Sequence, residues 1–464
     1  METQTNHTDG QANLERLATG SIGRLLWDYS LPAVVGMLVM SLYNVIDRIF
    51  IGQGVGPEAI AGLAITFPVM NVSTAIGQLV GVGAGARVSI MLGSGDTGGA
   101  ERVLGNALVL TILNATVYIT FFALFIDPIL SAFGASAATL PYARDFMLWI
   151  MPGMLIMNIA FGFNNLMRAS GYPVKAMVTM FIGAGCNVIL APIFIFALDM
   201  GIKGAAIATD IAMGISAIFV MAHFFNPGVS LHFKRGIYRL RWRSFVAIIG
   251  IGAAPSIVSF ASSAINIIIN KTLYHYGSDN AVAAAGIFTT YTSLLIMVVV
   301  GMCQGLQPIL GYNYGAGNVH RLKRAFWLAV AAATIVVTLG GAFGLVWPDL
   351  VARAFTTDRD LIDVTANALR LALISFWSVG FQVVSTTFFQ SIGKAGKSIF
   401  LSLTRQVIFL IPLLLILPDM FGLDGVWASF PCGDILSSLV TGALIWWQLS
   451  KISAVQHVLA PKKA

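Results

Sequence analysis

Charged residues are scarce in this chain. Asp, Glu, Lys and Arg make up only 10% of its residues, whereas 57% are apolar, and a soluble domain carries about 25% charged residues. So little charge cannot cover a water-facing surface, and lipid must therefore be the solvent for most of the chain. At roughly 20 residues for each crossing of a bilayer, the length allows about twelve spans with short loops.

Cysteine and histidine are scarce as well. The three cysteines, Cys186, Cys303 and Cys432, lie in apolar segments without paired spacing, which predicts small buried side chains rather than disulfides or a metal site. The six histidines are scattered and mostly in loops, which disfavours a metal hydrolase. No Walker motif is present, so ATP-driven transport by this chain alone is disfavoured. A membrane-embedded transferase would need clustered acids at a cytoplasmic helix end, and the sequence has none there.

Apolar runs separated by Gly, Pro and charged residues predict the spans. Residues 1–17 are polar and lack the layout of a cleaved signal peptide, which predicts an unstructured tail. The predicted transmembrane helices are 25–51, 59–92, 101–126, 140–168, 172–198, 203–225, 243–273, 281–313, 321–347, 362–391, 396–417 and 424–449.

Basic residues are concentrated on one side of this topology, and the connection at 349–363 on the other side is acid-rich. Because Lys and Arg favour cytoplasmic loops, both termini are expected in the cytoplasm. The basic residues on that side are Arg16, Arg24, Arg87, Arg102, Arg168, Lys175, Lys234, Arg235, Arg239, Arg241, Arg243, Arg321, Lys323, Arg324, Lys394, Lys397, Lys451, Lys462 and Lys463.

The chain repeats itself at an offset of about 222 residues. Pro32 matches Pro255, and a glycine-rich helix end with Gly93 returns with Gly315. A repeat of six spans keeps its orientation, so two pseudo-symmetric lobes related by an axis along the membrane normal are expected, with substrate between them. The predicted units are a cytoplasmic tail 1–20, an N-lobe 21–225, a basic linker 226–243, a C-lobe 244–450 and a cytoplasmic tail 451–464. The predicted fold class is therefore an all-α polytopic membrane protein with twelve transmembrane helices.

Four motifs are characteristic: Tyr43-Asn-Val-Ile-Asp47-Arg-Ile-Phe-Ile-Gly52, Arg168-Ala-Ser-Gly171, Asn187-Val-Ile-Leu-Ala-Pro192, and Gln304-Gly-Leu-Gln-Pro308 to Gly315-Ala-Gly317. With these motifs, nearly the whole chain, from Gly20 to Leu449, resembles the multidrug and toxic compound extrusion (MATE) transporters. It is similar to the bacterial branch of the staphylococcal multidrug exporter and the DNA-damage-inducible exporters. The resemblance implies efflux of organic cations and amphiphiles driven by inward flow of H⁺ or Na⁺.

Few ionisable residues fall within the spans, where each costs roughly 2.5–3.5 kcal/mol on insertion scales. Asp47 and Asp210 are predicted at similar depth, near Asn187 and Thr209. A carboxylate beside amide and hydroxyl oxygens is suited to holding Na⁺ or a proton. The alternative is that Asp47 hydrogen-bonds the backbone near a helix end and that Asp210 pairs with a polar group of a neighbouring helix.

The resemblance implies a cation site in the N-lobe on Tyr43, Asp47, Asn187, position 191 and Thr209. Relatives often have Asp at the position before the proline of the fifth span, where this chain has Ala191. We hypothesise that Asp210, next to Thr209, supplies the second carboxylate. No other metal or cofactor is expected.

Two further sets of residues are singled out. Arg405 and Asp434 are predicted at matching depths in the C-lobe, which favours a structural ion pair over a second coupling or substrate site. Flexible Met, aromatic and amide side chains suit promiscuous ligands. The candidates for the substrate cavity are Asn158, Phe161, Asn165, Met302 and Gln304.

The sequence thus predicts a secondary active multidrug efflux transporter, not an enzyme, in the bacterial inner membrane. Its expected partners are the lipid bilayer and small amphiphilic cations, without nucleic acid, and the resemblance implies a monomer. A flippase or exporter of lipid-linked or other anionic cargo is the alternative. Such flippases tend to line the cavity with several arginines, and few are predicted here.

Overall fold

The structure is a computed structural model that describes residues 2–277 and 279–459, with side chains for 10–56, 58–262, 265–277 and 279–452. The chain is helical almost throughout. The first set of helices is α1 (Glu2–Thr19), α2 (Ile22–Gly54), α3 (Pro57–Gly93), α4 (Thr97–Leu124), α5 (Ile126–Ala132), α6 (Leu140–Ala169), α7 (Pro173–Pro192) and α8 (Gly201–Phe225), with a π-helical segment Ile193–Ala197 after α7.

The second set follows the linker. It consists of α9 (Trp242–Tyr276), α10 (Asp279–Gly315), α11 (Val319–Val346), α12 (Pro348–Arg353), α13 (Arg359–Ala372), α14 (Trp377–Ser391), α15 (Ala395–Leu403), a π-helical segment Thr404–Leu410, α16 (Ile411–Phe421) and α17 (Leu423–Leu459).

The described residues confirm the all-α polytopic fold. Eleven helices are long and apolar enough to cross a membrane, and the number is twelve if α13 and α14, which are bent by 59°, are counted as one span. The prediction of one continuous helix at 362–391 is therefore wrong, because the short turn at 373–376 breaks it.

Both predicted tails are largely helical. Instead of an unstructured segment at 1–17, α1 runs from Glu2 to Thr19, and Leu17 is completely buried. At the other end α17 continues to Leu459; Met1 and residues 460–464, with Lys462 and Lys463, lie outside the described part. The polar composition of residues 1–17 did not predict α1, because this helix is held in place by contacts with other elements.

One of those contacts joins α1 to the C-lobe. Arg321, near the start of α11, donates to the carbonyls of Leu17 at 3.2 Å and Gly20 at 2.6 Å, and its Nε donates to Asn313 Oδ1 at 3.1 Å. The last carbonyls of a helix lack partners within the helix, so this guanidinium satisfies them.

The linker after α8 is packed rather than loose. Leu231 is completely buried, and the Lys234 ammonium lies 2.7 Å from the Glu101 carboxylate of α4. Asn106 Nδ2 donates to the carbonyl of Ile237 at 3.1 Å.

The prediction that all three cysteines are buried is also wrong. Cys303 is buried but Cys432 is exposed, as an apolar residue on a lipid-facing helix surface would be.

Because successive spans alternate in direction, the turns at 94–96, 170–172, 316–318 and 392–394 and the linker lie at one end of the molecule, which we call the basic end. In the half next to this end, the lobes touch through glycines. A Cβ atom on Gly83 of α3 would overlap the backbone of Ile248 in α9, and one on Gly252 of α9 would overlap that of Leu79 in α3.

The long helices α3 and α10 meet in the same way. A Cβ atom on Gly93 would overlap the backbone of Tyr312, and one on Gly315 would overlap that of Ile90. Small residues allow helix backbones to approach closely in a bilayer. These glycines therefore hold the two lobes together at the basic end.

Hydrogen bonds between the lobes lie in the same half. Ser256 Oγ of α9 donates to the carbonyl of Ala75 at 2.6 Å, and Ser30 Oγ of α2 donates to that of Met302 in α10 at 3.2 Å. Gln307 Nε2 donates to the carbonyl of Val82 at 3.1 Å. Each bond joins a side chain of one lobe to the backbone of the other, so it depends on the close approach that the glycines permit.

Gly305→Ala tests this packing. The added Cβ would lie 2.5 Å from the backbone of Tyr29 and Ser30, so α2 and α10 must separate by about 1 Å to restore contact distances. We expect a loss of about 1–3 kcal/mol, measured as a lower midpoint of unfolding in detergent. Gly286→Ala is the control on the same helix, since its Cβ would meet nothing within 4 Å. Equal midpoints for the two variants would contradict the interpretation.

Candidate functional site

Three helices of the N-lobe bring polar side chains together inside the predicted membrane region. Asn187 Nδ2 of α7 donates to Thr209 Oγ1 of α8 at 2.9 Å, and the Thr209 hydroxyl donates to the carbonyl of Ala205 at 3.0 Å. The Tyr43 hydroxyl of α2 contacts the same threonine side chain. Asn187 and Thr209 are 1% and 6% exposed, so the cluster is shielded from solvent.

Asp47 lies next to Tyr43 at the edge of this cluster. It follows Tyr43 by four residues, which places both side chains on one face of α2, and the two interact electrostatically. Its Oδ1 atom is buried and has no hydrogen-bond partner within the described structure. Its cationic neighbour Arg48 lies over the ring of Phe67, 5.9 Å from the ring centre. A buried acceptor without a partner is costly, so a bound proton or cation would stabilise it.

The oxygens of this cluster suit a small cation. A carboxylate, an amide oxygen and hydroxyl oxygens are the ligands that hard cations prefer. Ala191 is completely buried one turn beyond Asn187, and its methyl group adds no oxygen. Among the described residues, no group of three or more His, Cys, Asp and Glu is placed to hold a metal ion.

Asp210 makes a different contact. Its Oδ2 accepts a hydrogen bond from the backbone N–H of Gly153 in α6 at 3.1 Å, and a Cβ atom on Gly153 would overlap the carboxylate. Gly153 follows Pro152, which lies inside α6 and disrupts the regular backbone bonding of the helix. Thr209 thus faces α7 while its neighbour Asp210 faces α6, and no described contact joins Asp210 to Asp47.

In the C-lobe, Arg405 and Asp434 form an ion pair. Arg405 Nε lies 2.8 Å from Asp434 Oδ1, with side chains 25% and 8% exposed. Arg405 belongs to the π-helical segment Thr404–Leu410. Gln382 of α14 donates to the carbonyl of Asp434 at 2.6 Å, so the pair ties three elements of the lobe together.

The candidate cavity residues separate into two groups. Met302 and Gln304 lie where α10 meets α2: Gln304 Nε2 is 3.4 Å from Met37 Sδ, and its buried Oε1 has no partner in the described structure. The other three lie within the N-lobe. Asn158 is only 2% exposed and donates to the Tyr118 hydroxyl at 2.6 Å, so it borders no open cavity in this conformation.

Phe161 and Asn165 are part of the packing around α6. Phe161 borders a small gap with Met40, Met180 and Met213, and Asn165 Oδ1 accepts from Arg168 Nη2 at 2.7 Å. The described contacts therefore place both residues among neighbours of their own lobe.

A polar network that the sequence did not single out lies beside Asn158. The Tyr118 hydroxyl of α4 also bonds Ser73 of α3 at 3.0 Å, which links three helices. An isolated tyrosine in an apolar span is also typical of the lipid interface, so its sequence context alone gave no signal of an interior contact.

Solved structures with this fold are membrane transporters. An outward-facing multidrug resistance MATE family transporter of the MOP superfamily matches with a TM-score of 0.88 and 25% identity, over 95% of this chain and 98% of that one. A MATE structure in the bent conformation matches with a TM-score of 0.90 and 25% identity, over 96% and 98%. The fold and its buried polar sites thus define a membrane transporter, not an enzyme.

The chain belongs to the MatE family. The family model matches twice, at residues 32–193 and 255–416, and the two matches begin 223 residues apart. The multidrug export protein MepA of Staphylococcus aureus is 26% identical over 425 residues, covering 91% of this chain and 93% of that protein. An FAD transporter of Shewanella oneidensis is 27% identical over 434 residues, covering 91% and 94%.

The ion pair of the C-lobe leads to a prediction. Asp434→Leu leaves a guanidinium unpaired in a low-dielectric setting, so we expect a loss of about 3–5 kcal/mol. Arg405→Met combined with Asp434→Leu removes both charges and should recover most of that loss, measured as a double-mutant cycle of unfolding free energies.

The exposed pair Arg370–Asp349, with side chains 57% and 51% exposed and 3.8 Å apart, is the matched control. The same cycle on it should give a coupling below about 1 kcal/mol. Strictly additive losses at Arg405 and Asp434 would contradict a structural pair. A double variant that folds but no longer transports would favour a functional role instead.

Proposed function

We propose that the protein is a secondary active multidrug efflux transporter that exchanges H⁺ or Na⁺ for organic cations and other amphiphiles. The observation that carries the proposal is the Oδ1 atom of Asp47, which is buried and has no partner in the described structure. It lies next to Tyr43, which contacts Thr209, the hydrogen-bond partner of Asn187. A proton or Na⁺ on this oxygen removes the energetic penalty of an unsatisfied acceptor. When the proton or Na⁺ is released, the Asp47 carboxylate is left charged, and a neighbouring helix must move to accommodate that charge.

The packing of the lobes supports alternating access. The glycine contacts hold the lobes together at the basic end, which the excess of Lys and Arg assigns to the cytoplasm. With that assignment this conformation faces outward, like the outward-facing MATE transporter to which the fold is similar. Rocking the lobes about the contacts then exposes the space between them to either side in turn.

The nature of the cargo follows from relatives and from charge. The staphylococcal relatives are multidrug export proteins. At the boundary of α2 and α10 the described groups are Met37, Met302 and Gln304, and polarisable thioethers with an amide oxygen suit flat, cationic, apolar molecules. We therefore assign small amphiphilic cations as the cargo class.

An anionic cargo is the second candidate. Its support is the FAD transporter of Shewanella oneidensis, together with a similar structure of a MOP superfamily transporter from Pyrococcus furiosus, for which a reversed polarity of the binding pocket suggests a different function. The distinguishing feature is the charge that lines the space between the lobes, and a transport assay with both cargo types decides between them.

We further propose that the protein works as a monomer in the inner membrane of a bacterium, with both termini in the cytoplasm and without nucleic acid as a partner. The support is the distribution of basic residues at the basic end and the resemblance to the family. Labelling of single introduced cysteines at residues 94 and 199 from either side of sealed vesicles tests the orientation.

The coupling assignment is tested in proteoliposomes. We expect an imposed pH or Na⁺ gradient to drive transport of ethidium, measured by fluorescence, and Asp47→Asn to reduce the gradient-driven rate at least tenfold, because the amide cannot exchange a cation. Asp199→Asn is the matched control, since Asp199 is an exposed acid of the same lobe beyond the membrane span. It should transport like the parent.

Asp210→Asn separates the two acids. Failure of both Asp47→Asn and Asp210→Asn, with normal folding, would mean that both acids take part in coupling. Failure of Asp47→Asn alone would mean that Asp210 only supports α6 at Pro152. Gradient-driven ethidium transport by Asp47→Asn at the parental rate would refute the assignment, and FAD transport without ethidium transport would favour the anionic cargo.

A further inference from the structure

A cavity of about 470 Å³ opens at the basic end of the N-lobe, between α1, α2 and the start of α7. Its wall includes three cationic side chains, one from each helix: Arg16, Arg24 and Lys175. Neither the cluster around Asp47 nor the glycine contacts between the lobes use these residues. We call this cavity the α1–α2–α7 groove.

The groove carries an excess of positive charge. Its one carboxylate, Asp28, is paired with Arg16 at 2.8 Å. Arg24 and Lys175 have no carboxylate partner within the described residues, and the Lys175 ammonium instead lies 5.0 Å from the centre of the Tyr172 ring. Two cationic groups are thus available to one anion.

The start of α7 adds to the positive electrostatic potential of the groove. Pro173, Val174 and Lys175 border the groove, and Tyr172, which precedes the helix, makes no side-chain capping bond. The first N–H groups of a helix lack partners within it, and the helix dipole favours an anion at this position. Pro173 has no N–H, so the backbone donors here are the N–H groups of Val174 and Lys175, which border the same cavity as the two cationic side chains.

The rim of the groove is apolar and faces lipid. Trp27 is 66% exposed, Leu31 42% and Val174 55%, and the first two lie in the opening turns of the α2 span. Exposed tryptophan near the end of a span is typical of the membrane interface. A ligand that fills the groove therefore has a charged head and an apolar tail.

The C-lobe uses its equivalent lysine differently. Lys397 follows Lys175 by 222 residues, and its ammonium contacts Gln448 and lies 3.9 Å from the centre of the Trp447 ring. That lysine is held by side chains of α17, whereas Lys175 faces an open groove.

Two further groove residues, Arg24 and Trp27, have no similar counterpart in the repeat. At the offset of 223 that relates Pro32 to Pro255, Arg24 corresponds to Ala247 and Trp27 to Gly250. The groove is therefore a feature of the N-lobe alone, and the duplicated architecture does not by itself explain its charge.

We propose that the α1–α2–α7 groove binds the phosphate headgroup of an anionic phospholipid from the leaflet at the basic end. Arg24, Lys175 and the first N–H groups of α7 hold the phosphate, and the acyl chains lie along Leu31 and Val174. Because α1 forms one wall and is held to the C-lobe by Arg321, a bound lipid also stabilises the arrangement in which the lobes are closed at this end.

The test is a titration of the delipidated full-length protein with phosphatidylglycerol, followed by native mass spectrometry. Arg24→Gln with Lys175→Gln should weaken binding of the tightest lipid about 30-fold, given the attraction of anionic lipids per basic residue. The matched control is Arg235→Gln with Arg243→Gln, which removes the same charge at the same end from exposed residues outside the groove. It should bind like the parent.

Four further outcomes decide the proposal. Equal weakening by both pairs would overturn it, since the effect would then be a general attraction to the basic end. Equally tight binding of phosphatidylcholine would also overturn it, as would equally tight binding of glycerol 3-phosphate, which has no acyl chain. Arg24→Lys with Lys175→Arg keeps both charges and should retain binding; loss of binding in this pair, with a normal unfolding midpoint, would contradict a site defined by charge.

Discussion

Close backbone contact between helices of the two lobes is the constraint on which this structure depends. In a bilayer, the hydrophobic effect does not drive helices together, so association relies on van der Waals contact and hydrogen bonds. Gly83, Gly93 and Gly315 each meet backbone atoms of the opposite lobe at positions where a Cβ atom would overlap them. The serine and glutamine bonds between the lobes form only because these glycines allow the approach, so packing and polar contacts depend on one another.

Because lipid offers no hydrogen bonds, the polar side chains of the spans are informative where they lack partners. In the N-lobe, Asn158 and Asn187 are each bonded to a neighbouring helix. Asp47 differs, since one of its carboxylate oxygens is buried without a partner in the described structure. Leaving such a group unsatisfied costs more than a typical hydrogen bond returns, and this contrast within a single lobe distinguishes the candidate coupling site from structural polar contacts.

Much of the fold could be predicted from the sequence, because apolar length sets the spans and the repeat sets the lobes. The predicted span at 203–225 and the observed α8 at Gly201–Phe225 differ by two residues at one end. What composition could not predict was order produced by distant contacts: α1 is held by Arg321, and the linker by Asn106. The contacts of the candidate site were harder to predict from the sequence. Thr209 and Asp210 are adjacent on α8 but face different helices, and spacing alone did not reveal that Asp210 contacts Gly153.

Helix α2 connects the candidate coupling site to the contact between the lobes. Its outer half carries Asp47 and Tyr43, of which Tyr43 contacts Thr209 of α8, and its inner half carries Ser30, which bonds Met302 of the opposite lobe. Gly36, between the two halves, lies against Met180 of α7. A cation that binds at Asp47 would change the charge on one end of this helix, and Pro32, which lies inside α2 next to the half that carries Ser30, is a position where the helix can bend in response. One element therefore carries both the candidate coupling site and part of the closed face, and the coupling that we propose requires such a connection.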